Sequence, residues 1–117
     1  MSSESHITRI DPDITLVAIS GRLALGSDLV SLEYSVRRLI EEGARKVIVD
    51  LSGLDNVDSA AIGVLVACNG LMVQSGGRMR IAGAKGAVAR VFEIVQMARI
   101  ASLDASVEAA REDLKAG

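Results

Sequence analysis

Two short runs of branched and apolar residues, Lys46–Leu51 (KVIVDL) and Arg78–Ala82 (RMRIA), flank a stretch from Ser59 to Gly77 that carries no charged side chain. KVIVDL is the strongest strand signal in the chain, and RMRIA alternates as a strand with one wet face does. Helical spacing predicts a helix from Ser59 to Gln74, and Ser75-Gly76-Gly77 stops it. A strand, a helix and a strand in that order describe a crossover between parallel strands, and such a sheet needs cover.

The rest of the chain extends this pattern. His6–Ile10 reads as a short first strand, Asp11-Pro12-Asp13 as a turn, and Ile14–Ser20 (ITLVAIS) as a strand apolar on both faces. Gly21 and Gly26 frame a loop, Ser27 is placed to cap a helix, and Leu29, Leu32, Val36, Leu39 and Ile40 recur at helical spacing. Glu33 and Arg37 form an i,i+4 pair on its outer face, and Gly43 ends it. The residues Ser52 to Asp58 are turn formers and read as a connection. Val88, Val91, Phe92 and Val95 mark a third helix, and a short strand is expected near Ile100–Leu103. Val107, Ala110 and Leu114 mark a terminal helix that Asp104 or Ser106 could cap. The expected fold is therefore α/β, a mostly parallel mixed sheet of four to five strands with about four helices. No linker, repeat or low-complexity tract divides the 117 residues, so residues 1–117 read as one domain.

Composition narrows the function classes. A net charge of −2, with no Arg/Lys run, gives nucleic acid no basic footprint. Half of the residues are apolar, yet Tyr34 and Phe92 are the only aromatics, so the core must be aliphatic. The lone Cys68 lies in an apolar stretch, which fits a buried thiol in a reducing compartment. No signal peptide is visible after Met1, and the run Ala60–Val73 is too short to span a bilayer. These features lead us to expect a soluble, cytoplasmic protein.

Catalytic chemistry is hard to assemble. His6 is the only histidine and stands near the N-terminus, where it makes a poor general base. One Cys and one His give no metal-ligand spacing, and no cofactor motif is present. Asp50, Asp55 and Asp58 could form an acidic cluster, but Asp55 and Asp58 read better as turn and cap residues. Gly83-Ala84-Lys85-Gly86 sits between a strand and a helix without the spacing of a phosphate loop, so it reads as a tight turn with Lys85 free to meet a partner.

Asp58-Ser59-Ala60-Ala61-Ile62-Gly63 is more informative. A helix without charge is either buried nearly all round or offers its small residues as a docking surface. A serine at its start, Ser59, reads as an N-cap and is exposed, and a phosphate there would meet free N–H groups, the positive end of the helix dipole and the repelling carboxylate of Asp58.

At these residues the sequence resembles the STAS domain of the anti-sigma factor antagonists. The resemblance rests on Gly21-Arg22-Leu23 after a strand and on Val47 to Ser59, of the type hhhDLSxhxxhDS. It continues through the apolar helix opened by Asp58-Ser59, the Gly-Gly before a strand, and a final Val-x-x-Val-Phe helix. The chain departs from the family at Ala60 and Ala61, where Ser and Gly are common, and at Ala24, where kinase-regulated members often carry Asp; Gly63 is kept. The resemblance implies a non-enzymatic regulator of transcription. Its unphosphorylated form binds an anti-sigma factor serine kinase of histidine-kinase-like ATPase fold and releases a sigma factor. By position, the phosphorylated residue is Ser59, and the implied contacts are Asp58, Ser59, Ala60, Ala61, Gly63, Gly21, Ala24 and Lys85. A STAS scaffold or transporter-associated subunit is the alternative, and a homodimer through the second helix stays open.

Overall fold

The structure, a computed structural model, describes residues 4–23 and 26–116. Strand β1 (Glu4–Asp11) and strand β2 (Ile14–Leu23) form an antiparallel hairpin whose turn is Pro12-Asp13. Helix α1 (Ser27–Glu41), strand β3 (Lys46–Val57), helix α2 (Ser59–Gln74), strand β4 (Arg78–Ala82) and helix α3 (Gly86–Ile94) follow. A 3₁₀ turn (Met97–Arg99), strand β5 (Ser102–Asp104) and helix α4 (Val107–Ala116) complete the order.

The five strands lie in chain order, β1-β2-β3-β4-β5, with β2 to β5 parallel. Crossovers of one hand between successive neighbours must all land on the same face. Helices α1, α2 and α3 accordingly share one aliphatic core with Val17, Val47, Val49, Leu51 and Ile81. On the opposite face α4 sets Ala110 and Leu114 against Ile14, Ile48 and Ala82. Alternation along β3 thus sends Val47 and Val49 to one core and Ile48 to the other. The sequence expectation of a mostly parallel mixed sheet with four helices holds.

Strands β1 and β5 shift from the expected bounds by one or two residues, and the ends of β2 and β3 differ more. The Gly21–Gly26 segment is not a simple loop, because β2 runs on to Leu23, and Ser52–Val57 is strand rather than connection. The register explains the turn-forming composition there. Ala18 and Ser20 of β2 face Asp50 and Gly53, and Gly21 and Arg22 face Leu54 and Asn56, so β3 carries an extra residue at each step. These are bulges, where a strand bends and twists. A Cβ on Gly53 would come within 2.9 Å of the Ser20 Cβ, so glycine lets the strands close at the first bulge. Leu54 and Val57 are buried and hold the extension to the core.

Helix ends follow a shared pattern. In α2, Gly76 (φ 85°) gives its N–H to Val73 and Gly77 gives its N–H to Met72 at 2.8 Å, a Schellman closure. Helix α1 ends the same way at Gly43 and Ala44. At the start of α1 the N-cap position belongs to Gly26, not Ser27, which is the first helical residue. The cap of α4 is Ser106, whose hydroxyl accepts the Ala109 N–H at 3.1 Å; Asp104 instead pairs with Arg80.

Candidate functional site

Strand β3 passes into α2 across Val57-Asp58-Ser59 without a loop. Asp58 is still extended (φ −108°, ψ −179°), and its carboxylate accepts the Ala61 N–H at 2.8 Å while its carbonyl accepts the Ile62 N–H at 3.2 Å. Asp58 is therefore the N-cap. The capping role that spacing gave to Ser59 falls one residue earlier, because Asp caps as well as Ser and the extended backbone is at position 58. Ser59 is the first helical residue, and its side chain is exposed. The Ser59 and Ala60 amides lie in the helix's first turn, where N–H groups have no intrahelical acceptor.

Helix α2 buries one stripe, Ala61, Leu65, Cys68 and Met72. Ala61 is thus a core residue, and its methyl points inward because it leads the i, i+4, i+7, i+11 series. Ser59, Gly63 and Ala67 are exposed on a different line of the helix, and Ala60 is half-buried against the core. A Cβ on Gly63 would meet nothing within 4 Å, so no contact inside the described chain requires a glycine there. The absence of charge is therefore not explained by burial all round.

The sheet register assembles part of the expected surface. Gly21 (φ 92°) lies opposite Leu54, and Arg22 and Leu23 lie opposite Asn56 and Val57, which brings the end of β2 alongside the turn into Ser59. Ala24 falls outside the described residues. Lys85 is exposed at the N-cap position of α3, in a turn that meets β3 earlier. A Cβ on Gly83 (φ 77°) would stand 3.0 Å from both Asp50 Oδ1 and Ser52 Cβ. Ser52 precedes Val57 by five residues, about 16 Å of strand contour. Gly21 therefore joins Ser59 at one end of the surface, and Lys85 lies farther back along β3.

The remaining candidates separate. His6 is exposed on β1. The Asp50 carboxylate accepts the Ser52 N–H at 3.0 Å, and Asp55 is an exposed strand residue rather than a turn residue. Among the described residues no three His, Cys, Asp or Glu side chains are grouped to hold a metal ion, so the acidic cluster does not form. Burial pushes the Cys68 thiol up to about 12, with the Glu33 charge adding to the effect, and the sulfur stays protonated. No helix among the described residues is long and apolar enough to cross a membrane.

Residues 6–110, which include β3, the Asp58-Ser59 turn and α2, match the STAS domain family. The chain belongs to the STAS family. Solved structures share this STAS fold over nearly the whole chain at low identity. A candidate anti-sigma factor antagonist of Thermotoga maritima superposes with a TM-score of 0.85 at 20% identity, covering 95% of this chain and 94% of that one. An anti-sigma factor antagonist from Mycobacterium paratuberculosis gives 0.83 at 15% identity, covering 97% and 95%. The Bacillus cell fate determinant SpoIIAA in its phosphorylated form gives 0.72 at 16% identity, covering 94% and 98%.

Proposed function

We propose that this STAS chain is an anti-sigma factor antagonist that works by partner switching. In its unphosphorylated form it binds an anti-sigma factor kinase of histidine-kinase-like ATPase fold, and the sigma factor held by that kinase is released. Phosphorylation of Ser59 ends the complex. The observation that carries this reading is the exposed Ser59 hydroxyl at the first position of α2, freed from capping by Asp58. A phosphoryl group there adds about 1.5 to 2 negative charges to a surface of small uncharged residues. The neighbouring Asp58 carboxylate makes that charge more costly in a closed interface. Ala60 and Gly63 on α2, with Gly21 on β2, give the partner a flat approach, and Lys85 supplies a cation at its margin.

Among the solved structures that share this fold, one is a SpoIIAA described as phosphorylated, which is consistent with phosphoryl chemistry on such a scaffold. The test is direct. The purified chain is incubated with the kinase encoded nearest its gene and with Mg-ATP, and its intact mass is followed. One phosphoryl group should be gained, and Ser59→Ala should abolish the gain. Phosphorylation at another residue, or none with any kinase of this class from the same genome, overturns the reading.

A further inference from the structure

Strand β5 ends the sheet on the side away from the β1–β2 hairpin. The Gly83 N–H donates to the Asp104 carbonyl at 3.1 Å, so Asp104 turns its backbone groups toward β4. Alternation then turns the N–H and C=O of Leu103 outward, to the open edge. Beside that edge a groove of about 470 Å³ runs between β5 and α3, lined by Ile81, Ala89, Phe92, Ala98 and Leu103. Arg99 lines the same groove, exposed, and its side chain makes no ion pair or hydrogen bond among the described residues. Glu93 stands on the α3 wall.

We infer that this edge and groove form a docking site for an extended segment of a partner protein, separate from the Ser59 surface. The segment adds an antiparallel strand to β5, in which the residue opposite Leu103 exchanges both backbone hydrogen bonds with it. The residue opposite Leu103 has its side chain on the same face as Leu103, which is the groove face, so it must be apolar. A residue two positions along the segment shares that face, and a carboxylate there meets the unpaired Arg99 guanidinium. Glu93 excludes a polyacidic segment, so the recognised pattern is one carboxylate spaced by two from one apolar anchor. This site does not depend on phosphorylation or on the kinase. A partner held here leaves α2 open, and the two surfaces can be occupied together.

A phage-displayed heptapeptide library is panned on the full wild-type chain and, in parallel, on Ala89→Phe, which fills the groove from α3, and on Arg99→Glu at an exposed position. Peptides enriched on the wild type are synthesised with and without N-methylation of the apolar anchor. Their contacts are mapped by amide chemical shifts. We expect enrichment of an acidic residue two positions from an apolar one, loss of binding to Ala89→Phe, and loss of the acidic preference on Arg99→Glu. Anchor N-methylation should weaken binding about tenfold, the loss of one to two hydrogen bonds, and the shifts should centre on Leu103, Ala105 and Phe92. Failure to enrich any peptide on the wild type overturns the proposal. So does equal binding of the N-methylated peptide, or shifts centred on α2.

Discussion

The Asp58 carboxylate holds the Ala61 amide at 2.8 Å, and this one hydrogen bond decides what Ser59 is free to do. With the cap supplied from the preceding residue, the serine hydroxyl need not satisfy a backbone donor. Asp58→Ala should cost about 1 kcal/mol, the usual value of an N-cap, read as a lower urea midpoint with unchanged slope. Asp58→Ser should restore most of it. No change in Asp58→Ala would show that the start of α2 is held from elsewhere.

At the end of helix α3 the Gln96 N–H donates to the Glu93 carbonyl at 3.1 Å, as Gly43 donates to Ile40 and Gly76 to Val73, but the left-handed position that glycine occupies in α1 and α2 is filled here by Gln96 at φ 55°. A side chain in that conformation costs about 1 kcal/mol relative to glycine. Gln96→Gly should therefore raise the thermal midpoint, and Gln96→Val, branched at Cβ, should lower it. The reverse order in a calorimetric comparison would contradict the assignment.

Acid should loosen α4 from the hairpin. Arg111 donates to both Asp11 oxygens, at 2.6 and 2.9 Å, and these hydrogen bonds, with the nearby charges of Arg111 and Lys115, hold the Asp11 carboxyl below its ordinary value against the opposing effect of burial. A folded-state value lower than the unfolded one contributes stability that is full above the unfolded pKa and is lost as pH falls through the folded one. Asp11→Asn should be less stable than wild type at pH 7, and the gap should close on acidification. A gap independent of pH would assign the loss to packing.

The Cys68 thiol, fully buried and raised to about 12, should be unreactive in the folded protein. Labelling with an aromatic disulfide at pH 8 should proceed only as fast as unfolding, and urea should accelerate it. Immediate stoichiometric labelling without denaturant would place the sulfur at the surface.

Local signals made much of this fold legible. Ser59–Gln74 and Arg78–Ala82 have the boundaries that spacing predicts, because their start, stop and periodicity lie within the segments themselves. The extension of β3 to Val57 was not legible. Ser52, Gly53, Asp55 and Asn56 are turn formers in isolation, and only pairing with Ser20–Leu23 turns them into bulges. The cap of α4 was ambiguous for the same kind of reason, since Asp104 is taken by Arg80, distant in sequence. At the site, the position of Ser59 could be read from the chain. The inward direction of Ala61 could not, because a helix without charges carries no polar face to orient it. The β5 groove left no sequence signal, since its lining is scattered over β4, α3 and β5.

The central claim is that charge at Ser59 closes the kinase-binding surface. It is tested most directly by isothermal titration of the kinase with wild type, Ser59→Ala and Ser59→Asp. Wild type and Ser59→Ala should bind alike, and Ser59→Asp should bind at least about tenfold more weakly, the effect of one unpaired charge in an interface. Equal affinity for all three would place the interface away from the start of α2 and contradict the account.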